Sequence, residues 1–184
     1  NLKTLVKENT IIPGVRDLND IVDATKTKSN IIFLLIGSIL DLENIVRFVR
    51  KYGKKLIVNI DLVEGIAFDK KGIEYLAKKD LCDGIISTKN NLVRCAMKEN
   101  LLTIQRVFLI DSGSLNSIKN LIDKSNEPDA FEILPAVAAP YFINNVKTNG
   151  IIIAGGLITK SSEAEELFKK GVRAISTSEK SLWL

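Results

Sequence analysis

Short aliphatic runs recur along the chain at intervals of about 19 to 28 residues: Ile11 to Val15, Ile31 to Ile36, Leu56 to Asp61, Gly84 to Ser87, Thr103 to Val107, Phe131 to Leu134, Ile151 to Ala154 and Ala174 to Ser176. Most are continuously Val, Ile or Leu rather than alternating with polar residues. That is the pattern of strands buried on both faces in a parallel sheet with helical cover. Between them the apolar spacing turns helical. Asp41-Leu42-Glu43 supplies an N-cap and an acidic first turn, Ile45, Val46, Phe48 and Val49 form a stripe, and Arg47, Arg50 and Lys51 precede the stop at Gly53. Ser161-Ser162-Glu163 opens another helix that turns Leu167 and Phe168 inward and ends at Gly171. Weaker patterns predict helices over 17–28, 69–80, 89–99, 114–125 and 137–148, a short last turn over 179–183, and a helical lead-in within 1–10.

Eight strand–helix units on a period of about 23 residues predict an α/β fold: a single small (β/α)8 barrel of the TIM type over residues 1–184, with 154–184 as its phosphate-site end. An open doubly wound sheet is the alternative. It requires one or two of the eight runs not to be strands, and no GxGxxG follows the first of them.

Composition narrows the chemistry. The chain has no histidine, which excludes Ser-His-Asp and Cys-His nucleophile pairs, an HExxH zinc site and any imidazole acting near neutral pH. Cys82 and Cys95 fit neither a CxxC pattern nor a disulfide framework, which excludes a zinc knuckle and fits a reducing, cytoplasmic setting; no cofactor or resident metal is assigned. The longest apolar run, Ile31 to Gly37, is far shorter than the roughly 20 residues of a membrane span, and no membrane association is expected. A net charge of +4 is a mild bias that permits an acidic partner without identifying one.

In such a barrel, ligands sit at the C-terminal ends of the strands. There the third run leads through Asn59 and Asp61 to Glu64, the fourth into Lys89, the fifth carries Gln105, Arg106 and then Asp111, and the sixth holds Glu132. The seventh runs into Gly155-Gly156 and the eighth into Ser176-Thr177-Ser178. A Gly-Gly pair lets backbone N–H groups approach a ligand, and a hydroxyl run entering a short helix adds further polar groups; together they match the phosphate site such barrels build after strands seven and eight. Taken singly, each is equally a tight turn or an N-cap. Glu132, inside an apolar strand, requires a cationic partner, with Arg106 or Lys89 the candidates. Asp61 and Glu64 fit either ligand hydroxyls, a cation or a turn cap, and Lys89 fits either an anion binder or a Schiff-base nucleophile. The cluster Arg47, Arg50, Lys51, Lys54 and Lys55 reads first as a solvated helix end and second as a nucleic-acid surface.

The strings NIDLVEG from Asn59 to Gly65, DGIISTK from Asp83 to Lys89, IQRVFLIDS from Ile104 to Ser112, FEILP from Phe131 to Pro135 and AGGLI from Ala154 to Ile158, then Ser176-Thr177-Ser178 and Leu182-Trp183, resemble in their order the bacterial glycerol uptake operon antiterminator regulatory proteins. The resemblance runs from about residue 10 to 184 and departs at Asn59, where the family pattern carries a histidine, and at Ala136, where it carries a glycine. It implies a cytoplasmic regulator, not an enzyme, that takes glycerol 3-phosphate as effector and binds leader messenger RNA of a glycerol-utilisation operon; a homodimer is left open. By position, Gly155, Gly156, Ser176, Thr177 and Ser178 hold the phosphate. Asp61, Glu64, Gln105, Arg106 and Glu132 line the pocket, with Asn59, Lys89 and Asp111 as further candidates at the same strand ends. The resemblance does not locate the RNA face, for which the basic stretch Arg47, Arg50, Lys51, Lys54 and Lys55 is the candidate. The competing reading is an isomerase, aldolase or phosphodiesterase acting on a small phosphate ester in the same barrel. A third is a degenerate barrel serving only as a protein-interaction scaffold.

Overall fold

All eight aliphatic runs become strands: β1 (Thr10–Val15), β2 (Ile31–Leu34), β3 (Lys55–Asn59), β4 (Gly84–Ser87), β5 (Leu102–Phe108), β6 (Ala130–Leu134), β7 (Ile151–Gly155) and β8 (Ala174–Thr177). Each is parallel to its sequence neighbour, and β1 pairs with β8, so the sheet closes into a barrel. The computed structural model describes residues 1–122 and 126–183; residues 123–125, the end of the helix expected over 114–125, and residue 184 lie outside the described residues. Seven helices follow β1 to β7: α2 (Ile21–Thr25), α3 (Leu42–Lys51), α4 (Lys70–Lys78), α5 (Asn90–Lys98), α6 (Ser112–Leu121), α7 (Ala139–Asn145) and α8 (Ser161–Lys169). A 3₁₀ turn over Lys180–Leu182 follows β8. Helix α1 (Leu2–Leu5) precedes β1, and Leu2 joins the barrel interior.

The period-2 geometry of strands sorts each continuous apolar run into two faces. Ile12, Phe33, Ile57, Ile86, Ile104 and Ile153 fill the barrel, while Leu34, Val58, Ile85, Val107, Ile133 and Ile175 face the helices. Against that outer face α3 lays Leu42, Ile45, Val46 and Val49, spaced as a helical stripe. Each such side chain contributes on the order of 1.5–3 kcal/mol when fully buried.

Two helical spans differ from expectation. The segment 17–28 forms a 3₁₀ turn at Leu18–Asp20 and the short α2, because the Thr25 and Thr27 hydroxyls donate to the carbonyls of Val22 and Ala24 and compete with further helix. The segment 137–148 splits into a 3₁₀ turn at Ala136–Ala138 and α7, whose first turn contains Pro140. Strand β3 ends at Asn59, so Asp61 belongs to the loop beyond it.

Candidate functional site

Toward the C-terminal end, the inward positions turn from aliphatic to polar. Asn59, Arg106, Glu132 and Ser176 are all buried there. Arg106 and Glu132 are register partners on β5 and β6, and Arg106 Nε donates to Glu132 Oε2 at 2.7 Å. Ser176 Oγ donates to the other carboxylate oxygen at 2.6 Å. The buried charge expected at Glu132 is therefore paired, with Arg106 and not Lys89. Gly155 makes room for this trio: a Cβ there would stand 2.6 Å from Ser176 Oγ and 3.1 Å from Glu132 Oε1. Asn59 Oδ1 accepts from the Asp61 N–H at 3.1 Å, while its buried Nδ2 has no acceptor among the described residues.

Above this layer opens a cavity of about 360 Å³, walled by the β7 and β8 loops, Arg106, Glu132 and the end of β1. Ser176, Thr177 and Ser178 line it as expected, but their hydroxyl protons are committed. Ser176 donates to Glu132, Thr177 to the Ile158 carbonyl at 3.4 Å, and Ser178 to the Gly14 carbonyl at 2.7 Å. The start of α8 is also self-capped, with Glu163 accepting from the Thr159 and Lys160 N–H groups, both at 2.9 Å. Those two N–H groups hold the Glu163 carboxyl below its ordinary pKa.

The donors left for an anion are others. Gly156 at φ +82° and Leu157 at φ +59° form a left-handed pair, and the N–H groups of Leu157 and Ile158 have no acceptor among the described residues. Successive N–H groups in such a turn make an anion-binding concavity. Arg16, just past β1, joins them: its Nε donates to Ser178 Oγ at 3.2 Å, and it makes no ion pair among the described residues. The terminal nitrogens of Arg106 likewise have no acceptor among the described residues. Sequence reasoning missed Arg16; a cation directly after the first strand was the signal for it.

Other expected pocket residues stand elsewhere. Gln105 is on the outer face of β5, where it donates to the carbonyls of Ser87 and Thr88 and accepts from Asn90 of α5. Asp61 clamps the β4–α5 turn, accepting from Ser87 Oγ at 2.7 Å, Thr88 N at 2.7 Å and Thr88 Oγ1 at 2.8 Å. Burial raises its pKa, but those three donors and Lys89 outweigh burial and hold it below the ordinary value. Lys89 sits 3.4 Å from Asp61 and over the Phe68 ring, Glu64 is exposed, and Asp111 caps α6 through the Ser114 N–H. None of these five lines the cavity, and neither does Asn59, which is buried beneath it in the barrel.

The basic cluster separates in the same way. Arg50 bridges to Asp80 and Asp83, Lys55 to Asp83, and Lys54 is buried with its ammonium donating to the carbonyls of Thr27 and Ser29. Arg47 and Lys51 stay exposed, beside Lys79 and Tyr75 in the groove between α3 and α4. No group of three or more Cys, Asp or Glu side chains able to hold a metal forms among the described residues, and no described helix is long and apolar enough to cross a membrane.

Comparison with known proteins agrees with the fold. The chain is 31% identical to the glycerol uptake operon antiterminator regulatory protein of Listeria monocytogenes, whose crystal structure superposes with a TM-score of 0.86 over 95% of this chain and 94% of that one. A glycerol uptake operon antiterminator-related protein of Thermotoga maritima superposes at 0.84 with 30% identity, over 96% and 98% of the two chains. The uncharacterized protein YgcP of Escherichia coli K12 is 33% identical over 181 residues, 97% of this chain and 94% of its own. The family described as glycerol-3-phosphate responsive antiterminator matches residues 11–183, and the chain belongs to that family.

Proposed function

We propose that the cavity binds glycerol 3-phosphate and that the occupied protein engages the leader of a glycerol-utilisation messenger RNA, letting transcription pass a terminator in the cytoplasm. The observation that carries this reading is the division of polar groups in the cavity. The guanidinium groups of Arg16 and Arg106 and the N–H groups of Leu157 and Ile158 are donors suited to a phosphate. Glu132, already held by Arg106 and Ser176, keeps lone pairs for glycerol hydroxyls. Gly155 and Gly156 serve by absence: one leaves space for the buried trio, the other lets the turn present its N–H groups.

A regulator fits this chemistry better than an enzyme. The two buried or half-buried carboxylates of the strand ends are already engaged, Glu132 by Arg106 and Ser176 and Asp61 by Ser87 and Thr88, and Lys89 is paired with Asp61. The RNA surface assigned by this reading is the α3–α4 groove, through Arg47 and Lys51 with Lys79, and not Lys54. Calorimetry with glycerol 3-phosphate, glycerol and inorganic phosphate tests the ligand. Saturable heat from the first, weakened at least tenfold by Arg16→Ala, is expected. No heat from any of the three overturns the assignment.

A further inference from the structure

The mouth of the barrel carries most of the strongly exposed large apolar side chains among the described residues. Among the described residues, eight of the thirteen large apolar side chains that are more than about a third exposed lie at the C-terminal strand ends or on the loops beyond them. Leu40 is 85% exposed, Ile110 79%, Val137 74% and Leu157 83%, and they come from four different loops. The other five are scattered over the helices. Together the eight expose the equivalent of about five whole side chains. At roughly 100 Å² of apolar surface each, that is on the order of 500 Å². Isolated apolar residues on a surface require no explanation, but a ring of this size does.

We infer that this rim is the face through which two copies of the chain pair, mouth to mouth. The area fits, since a standard interface takes about 800 Å² from each partner and roughly 60% of that is apolar. Three carboxylates of the rim loops are already held by donors within their own loops or the neighbouring one, which lowers the cost of drying them. Asp41 accepts from the Ser38 N–H at 2.7 Å, Asp61 is held by Ser87 and Thr88, and Asp111 by Ser114. The rim's large residues are mainly aliphatic, and its loops mix carboxylates such as Asp61 and Glu64 with the cations Arg16, Lys89 and Lys160, so charges of both signs are there to meet across a two-fold axis, whereas RNA takes a predominantly cationic surface. Pairing in this way leaves the α3–α4 groove uncovered. It also closes the cavity mouth, so ligand occupancy and pairing are linked; this second part rests on the ligand reading above.

Sedimentation equilibrium of the full chain, with and without glycerol 3-phosphate, tests both parts. A monomer–dimer equilibrium is expected in the micromolar range, tightened by glycerol 3-phosphate. Leu40→Lys with Ile110→Lys weakens it at least tenfold, while Tyr75→Lys, on the outer side of α4, leaves it unchanged. Calorimetry on the rim variant shows that its cavity is intact. A chain that stays monomeric, or a dimer broken by Tyr75→Lys and not by the rim pair, overturns the pairing and gives the rim to a different protein or to an apolar ligand group. A rim-dependent dimer without ligand heat overturns the ligand reading and leaves the pairing standing. Ligand heat with an unchanged dimer constant overturns only the linkage.

Discussion

Arg106 and Glu132 form a buried ion pair at the floor of the cavity. Removing a carboxylate and a guanidinium from water is expensive, and the pair survives because Ser176 satisfies the second carboxylate oxygen while Arg106 keeps a face on the cavity. Arg106→Leu leaves the charge of Glu132 buried without its cation and lowers stability by about 3–5 kcal/mol in urea titrations; replacing both residues by apolar ones costs much less. An equal loss in the single and double variants would show that the pair is not what matters there. Asp61 offers a pH readout at the same scale. Its carboxyl is held below the ordinary value in the folded chain, so its contribution is complete above the unfolded pKa of about 3.9 and is lost as pH falls through the folded value. Asp61→Asn is therefore expected to be less stable than wild type at pH 6, with the gap closing below about pH 4. A gap that persists at low pH would assign the effect to shape and not to charge.

At the scale of elements, a helix cap and a ligand contact look alike in sequence. The position of Asp111 after β5 suggests a pocket residue; instead it opens α6, accepting from the Ser114 N–H at 2.7 Å while Ser114 Oγ accepts from the Asp111 N–H. Asp111→Ala should cost about 1 kcal/mol in thermal or urea unfolding with ligand affinity unchanged; a loss of affinity would return it to the site. The strands and their order were legible because eight aliphatic runs at one period leave few alternatives. What those runs conceal is facing. A strand buried on both sides has no polar alternation, so nothing in Gln105-Arg106 says which side chain enters the barrel; closure of the sheet decides for Arg106. The hydroxyls of Ser176 to Ser178 were legible as cavity residues, but where each proton goes depends on Glu132, Ile158 and Gly14, three distant parts of the chain. Arg16 was overlooked because one cation after a strand looks like any solvated turn.

For the whole molecule, the proposed function demands that a cavity at the barrel mouth alter a surface on its flank, and α3 supplies a physical connection. Its preceding loop lies at the mouth, where Ser38 bridges to the loop after β3 and Asp41 accepts from Ser38. Its last turn carries Lys51 and is anchored by Arg50 to Asp80 and Asp83. A rigid helix clamped at both ends passes a displacement of its first turn to its last. Linkage then fixes the signs: if glycerol 3-phosphate raises leader affinity by some factor, the leader raises glycerol 3-phosphate affinity by the same factor. Arg47→Glu with Lys51→Glu is expected to weaken leader binding and reduce the dependence of its logarithm on log salt by about one for each lost phosphate contact. Lys54→Met, at a buried ammonium, should lower stability without changing that salt slope. Filter binding across a salt series, repeated with saturating glycerol 3-phosphate, measures all of this. An unaltered slope in the double variant would remove α3 from the RNA surface, whereas an altered slope with no effect of ligand would leave the surface in place and break its connection to the cavity.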